Sequence, residues 1–343
     1  MKRRLKSLFR LAGGFVILGT VMIIIGLLFG GAGELSKEVK ELVHVARIGV
    51  SETVERIPLL ESITNINGFT LVVDRDEVSV EVNEQYETLS GDYSDYAIAS
   101  VAEVKNLDIS VTNGICTILP SDNEYFGVES RNAEEFQCYV SGDTLYLSIF
   151  PRDFGEKSEN AEIVLYVPEG VECNKVLMFC SGEQVMVDTE LKGNELNISS
   201  ICGMNEFREK LVFQDVTATV GIGSFTAEEI ICSDLKLEVS TAEAQIGNME
   251  AECVEINLGM GTLSVSGTTS GDIVLNCGMG HFDMVLDDRQ DSYNYDISGS
   301  AESVQIGTDT LAGMVMERWI DNGSDKQITM SCSMGSVKIE FCQ

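Results

Sequence analysis

The chain has 343 residues, with 55 acids against 23 Lys plus Arg and a formal net charge of −32 at pH 7. That balance excludes a sequence-independent grip on nucleic acid, which needs cations to meet phosphates. It also opposes adsorption to anionic membranes or wall polymers. Length allows one large or two medium domains, and the ten cysteines and two histidines contain no Cys-x-x-Cys and no zinc spacing.

Residues 1–10 form a basic tail with five cations (Lys2, Arg3, Arg4, Lys6, Arg10) and no acid. Residues 11–33 then hold no ionisable side chain, enough as a helix to cross a hydrocarbon core of about 30 Å. The run exceeds the roughly 7–15 apolar residues of a signal-peptide core, although Gly30 and Ala32 are small enough for a cleavage site. An uncleaved, single-pass transmembrane signal anchor in the cell membrane is therefore expected. The positive-inside rule puts the N-terminus in the cytoplasm and the bulk of the chain outside it. Acids on outward strand faces would keep such a chain soluble and unpaired, so a monomer is expected.

Residues 34–61 read as a helical stalk. Ser36 can cap it, Val39, Leu42, Val43 and Ala46 make an i, i+3, i+4, i+7 stripe, and Pro58 ends it. Residues 62–193 read as an irregular, strand-rich lead-in. In GFTLVVDRDEVSVEV, Leu71, Val73, Val78, Val80 and Val82 alternate with polar residues around an acidic turn.

Residues 194–343 carry a repeat. Val216, Leu235, Val254 and Ile273 recur at nineteen residues, as do Val220, Val239, Leu258 and Cys277, and Phe225, Ala244, Leu263 and Phe282. Within each copy the apolar positions are two apart, the period of a strand that buries one face. A fixed period near twenty residues with strand patterning inside it implies an all-β, single-stacked β-solenoid with roughly 19-residue coils, here preceded by the transmembrane helix. Gly223, Gly261 and Gly280 share a turn column, which predicts φ > 0 there, and Ala242 departs from it. Cys277 falls in a core column, so most thiols should be buried and reduced, with an occasional bridge between neighbouring coils. The passage 286–325 breaks the pattern before the last copy, KQITMSCSMGSVKIEF. The lead-in and the terminal Phe341-Cys342-Gln343 are the expected caps.

The copies VEINLGMGTLSVSG and DIVLNCGMGHFDMV, the closing ITMSCSMGSVKIEF and the basic-plus-apolar start resemble the putative-adhesin β-strand-repeat family, a domain of unknown function from Gram-positive cell envelopes. The resemblance covers residues 62–341 and implies a cell-envelope β-solenoid. It brings no catalytic residue with it.

Candidate chemistry is sparse. Asp272, Asp283, Asp287, Asp288 and Asp291 cluster around two successive turns, but glycosidic cleavage needs two carboxyls in a groove, and nineteen-residue coils leave no long loops to build one. The turns Asp74-Arg75-Asp76-Glu77 and Asp287-Asp288-Arg289-Gln290-Asp291 offer oxygens to calcium without matching a calcium-loop pattern. His44 and His281 are the histidines, and His281 should point outward beside Asp283. Met260, Met279 and Met334 form a thioether column best read as turn packing. No catalytic, cofactor-binding or metal-binding residue is assigned, and no cofactor is expected. The expectation is a non-enzymatic surface scaffold or adhesion module that meets an envelope protein or glycan through a lateral face, marked by exposed aromatics. The alternative is an accessory to envelope sensing through a membrane partner, and a carbohydrate-active enzyme comes last.

Overall fold

The computed structural model describes residues 69–342 except 75–76, 83–84, 113, 151–160, 301–302 and 312–315. The basic tail, apolar run and stalk expected over 1–61, with His44, lie outside the described residues, as does the middle of the Asp74–Glu77 turn. Among the described residues no helix is long and apolar enough to cross a membrane. The chain divides into two units. In the first, Phe69–Asp74 and Glu77–Val82 pair as an antiparallel hairpin with Val73 opposite Val78.

The second unit, residues 84–150 and 158–343, is built from strands, with a 3-10 turn at Gln290–Ser292. Its middle is a parallel stack. Val216 pairs with Leu235, Leu235 with Val254 and Val254 with Ile273. Phe225 pairs with Ala244, Ala244 with Leu263 and Leu263 with Phe282. The columns read from the sequence are thus the hydrogen-bonded registers, and their members are buried. Burying a side chain of this size contributes about 1.5–3 kcal/mol relative to leaving it in water. Earlier steps are one residue longer, Val176 to Leu196 to Val216.

Each coil is largely one strand bent around corners. Ser224–Val239 pairs with its neighbour through 224–227, 229–232 and 234–239, skipping Glu228 and Ser233. Even the turns are bonded from coil to coil: the amides of Thr241, Met260, Met279 and Met334 donate to Gly221, Ser240, Gly259 and Gly278 carbonyls at 2.7–2.9 Å. Parallel pairing also reaches upstream of residue 194. Ile109 pairs with Met178 and Met178 with Ile198, so part of the expected irregular lead-in already runs in coil register.

Chain order and spatial order diverge at both ends. Asn106–Val111 lies between Thr144–Phe150 and Glu172–Cys180. The last coil, Gln327–Cys332 and Ser336–Phe341, sits between Ile273–Leu286 on one side and the strands Asn294–Gly299 and Ser303–Ile306 on the other. The passage expected to interrupt the stack therefore supplies its outer layer, and Phe341, from the expected C-terminal cap, belongs to an interior coil. Met316–Ile320 and Asp309–Leu311 then close that end by antiparallel pairing. At the other end Tyr125–Ser141 covers Thr144–Phe150 and Glu162–Pro168, and Leu89–Ser100 covers Tyr125–Ser141, all antiparallel. Reversal of strand direction replaces a ready parallel template with a folded-back edge.

The turn glycines serve two purposes. Gly223 has φ of 107°, as the turn column predicts, but Gly261 and Gly280 do not appear among the positive-φ glycines. They are needed for close approach: a Cβ at Gly261 would lie 2.1 Å from the Ala242 carbonyl oxygen. Gly261→Ala should therefore cost about 2 kcal/mol, read as a lower melting temperature. An unchanged melting temperature would show that this corner relaxes without cost.

Candidate functional site

The strict repeat gives way where the antiparallel strands begin, and an open surface cleft lies there. The outer strand Leu89–Ser100 is rich in Ser, Asp and Tyr and alternates between half-buried and exposed positions. Its register against Tyr125–Ser141 shifts between Leu89 and Gly91, between Gly91 and Tyr93 and between Asp95 and Ala99, and such bulges re-aim side chains. Gly127 lets the strands close up, since a Cβ there would stand 2.9 Å from the Tyr96 Cα. Asn132 carries φ of 49°, the one positive value at a non-glycine among the described residues. Its backbone amide is held by the Asp92 carboxylate at 3.0 Å.

These irregularities shape an open cleft of about 390 Å³ lined in part by Asp92, Tyr96, Glu129, Arg131 and Asn132. On the wall that Tyr96 and Glu129 form, the Tyr96 and Tyr166 hydroxyls both donate to Glu129 Oε2, each at 3.1 Å. Arg131 approaches Oε1 at 3.4 Å. The two phenols hold the Glu129 carboxyl below the usual carboxylate range, with the Arg131 charge adding to them. Glu129 in return raises the Tyr96 phenol above its ordinary value. Engaged by these donors, Glu129 is poorly placed to act as a base and well placed to pin a ring. Tyr96, with 51% of its surface exposed, is held 5.5 Å from the Tyr166 ring, tilted by 55°. Nearby, Tyr86, Tyr139 and Tyr146 stack in series, at 3.6 Å and 7° and then 5.1 Å and 22°. Seven of the nine tyrosines fall between residues 86 and 166, which makes this the aromatic end of the stack. The irregular lead-in expected over 62–193 does not single it out. The Tyr-Ser-Asp-Tyr run was the available signal.

The residues weighed from the sequence take other places. His281 points outward, as expected, and its Nε2 meets Asp283 Oδ2 at 2.9 Å. Its Nδ1 meets the Ser336 hydroxyl of the next coil in a short contact, a partner that only the register reveals. This Ser–His–Asp trio stands on an open strand face, with the imidazole 52% exposed. The nearby amides of Met334, Gly335 and Ser336, which an oxyanion hole would require, are donated to the coil beneath. Cys277 is buried, as its column implies.

The acidic cluster is largely engaged within the chain. Asp272 accepts from the Gln327 amide at 2.8 Å, Asp291 pairs with Arg289, and Asp288 pairs with Lys326. The cation at the Asp287–Asp291 turn is the Lys326 ammonium, which also reaches the Thr269 carbonyl and the Tyr293 hydroxyl, both at 3.2 Å, and lies 4.2 Å from the Tyr293 ring centroid. Among the described residues no group of three or more His, Cys, Asp or Glu is placed to hold a metal. Met260, Met279 and Met334 occupy one corner column but stand exposed rather than packed into the turn, because the following glycine brings the backbone close to the coil beneath and leaves the methionine outside.

A family model described as Toastrack DUF4097 matches residues 104–302. No curated protein matches the chain. Among solved structures, the chain is similar to a putative adhesin from Bacteroides fragilis at 15% identity and a TM-score of 0.43, covering 74% of this chain and 97% of the other. It is similar to a putative adhesin from Parabacteroides distasonis at 12% and 0.37, covering 72% and 97%. It is also similar to a putative lipid binding protein from Parabacteroides distasonis at 14% and 0.32, covering 74% and 97%.

The Lys326 clamp has a pH signature. Burial works against the Asp288 charge, but hydrogen bonds from Lys326, Ser292 and the Arg289 amide, with the Lys326 charge, draw the carboxyl down to about 2. The unfolded carboxyl titrates near 3.9. A depressed folded value means that the stabilisation is complete above about pH 4 and is lost as pH falls toward 2. Asp288→Asn should lower stability at neutral pH by on the order of 2 kcal/mol and flatten the acid limb of a plot of melting temperature against pH. An acid limb identical to that of the wild type would rule out this clamp as its source.

Proposed function

Since the chain belongs to the Toastrack DUF4097 family, we propose that it is a non-enzymatic interaction module of the cell envelope. The apolar run 11–33 anchors it in the membrane with residues 1–10 in the cytoplasm, and the coil stack is a single β-solenoid that stands outside as a rigid, monomeric post. The observation that carries this reading is the pinned tyrosine cleft: an exposed ring, fixed by Glu129 and flanked by Asp92, Arg131 and Asn132. An aromatic face beside polar side chains suits a glycan, whose ring presents C–H groups to the tyrosine and hydroxyls to the rim. A neighbouring carboxylate, Glu129, held in hydrogen bonds to two phenols favours binding over bond cleavage.

The test uses the full-length protein against a glycan array, isolated wall material and intact cells. Saturable binding is expected, and Tyr96→Ala should weaken it by roughly tenfold or more, as loss of an aromatic anchor does. Trp319→Ala, at the opposite end of the stack, should leave it unchanged. Saturable binding indifferent to Tyr96→Ala would move the site away from the cleft, and capture of protein alone would replace the glycan with a polypeptide partner.

A further inference from the structure

Ten cysteines are spread along the second unit, and in the described strand registers two of them face each other. Cys277 ends the strand Ile273–Cys277, Cys332 ends Gln327–Cys332, and the parallel pairing sets one against the other. Elsewhere the facing residue is not a cysteine: Cys180 meets Val111 and Ser200, and Cys232 meets Ala251. Both Cys277 and Cys332 point into the core, at 3% and 1% exposure. Adjacent strands lie about 4.8 Å apart, inside the range of about 4.4–6.8 Å between Cα atoms that a disulfide spans. The Cys277 sulfur leans toward the upper coil, since a Cβ placed on Gly335 would meet it at 2.7 Å. Each thiol donates to the carbonyl three residues on, Cys277 to Gly280 at 3.5 Å and Cys332 to Gly335 at 3.6 Å, and their mutual proximity raises the Cys277 thiol and lowers the Cys332 thiol.

We propose that Cys277 and Cys332 are a redox pair that closes into an inter-coil disulfide, stapling the last coil of the chain to the coil on which it docks. The position gives the bond a purpose. The chain leaves the stack after Leu286, builds the outer layer, and returns to insert residues 327–341 beneath it. A bridge from 277 to 332 fixes that insertion and closes the whole excursion as a loop. The inference goes beyond the interaction reading and stands independently of it.

A low-molecular-weight disulfide supplies the oxidising equivalents. The Cys332 thiol gives its proton to water, and the thiolate attacks one sulfur of glutathione disulfide and expels one glutathione thiolate. Cys277 then loses its proton, attacks the Cys332 sulfur of the mixed disulfide and expels the second glutathione. The two cysteine sulfurs give up two electrons and two protons in all, and glutathione disulfide becomes two thiols. Burial shields both thiols in the docked coil, so the exchange belongs to the stage at which residues 327–341 insert.

The full-length protein, refolded in glutathione disulfide and then denatured, alkylated and digested, provides the test. The expected product is one cross-linked species joining the Cys277 and Cys332 peptides. The melting temperature should fall by about 5–10 °C on addition of dithiothreitol, as for loss of a bridge over a long loop. Cys332→Ala should abolish that dependence on reductant, whereas Cys253→Ala should keep it. Recovery of both peptides as separately alkylated species, or bridged to other cysteines, overturns the proposal. The wild-type peptide map needs no variant to fold.

Discussion

Interstrand hydrogen bonding in strict parallel register is the constraint on which the rest of this molecule depends. Each coil copies the path of the one beneath, down to turn amides such as Met260 and Met279 bonding to Ser240 and Gly259. Once backbone groups are satisfied this way at corners as well as along the faces, a bulge leaves buried donors to be re-paired, and the register slips only locally, as between Phe207 and Lys210 and between Ile246 and Met249. The consequences are visible in single residues. Gly261 has to be small because a carbonyl oxygen stands where its Cβ would be, and Phe225, Ala244, Leu263 and Phe282 share one column of volume because their backbones share one column of space.

The same constraint explains why the two ends hold what the middle lacks. A repeating parallel stack presents flat, similar faces, and its polar side chains answer one another from coil to coil, as Asn276 does with Asn257 and Lys210 with Glu229. Concavity needs a break in the repeat. At the amino-terminal end the strands reverse, bulges enter between Leu89 and Ala99, and the backbone can adopt φ of 49° at Asn132. There a cleft forms and the tyrosines gather. At the other end the break serves closure, with Lys326 drawing together Thr269, Asp288 and Tyr293 where the chain returns to the stack.

Net charge and topology both disfavour edge-to-edge strand pairing. Open parallel edges would template further copies, yet both ends of the stack finish in antiparallel strands. Among the described residues most ion pairs are half-exposed and bridge neighbouring coils or alternate positions, as Lys175 does with Glu195 and Arg208 with Glu206. Such pairs contribute little each, so the acidic surface acts chiefly through repulsion between molecules.

The sequence by itself determined the strands and their columns, because burial on one face of a strand forces an alternation that a register of nineteen residues then repeats. From Val216 to Ile273 apolar pattern and hydrogen-bonded partner coincide. It also placed Cys277 inside and His281 outside, since a period of two assigns sides. Only the tertiary structure decided which coil lies on which. Ser336 against His281, Cys332 against Cys277 and the outer position of residues 294–306 follow from a chain that leaves the stack and returns, and local patterning carries no record of spatial order. The tyrosine cleft was hidden for the same reason. Tyr96, Glu129 and Tyr166 are 33 and 37 residues apart, and bulged antiparallel pairing, which no periodic pattern encodes, brings them to one carboxylate.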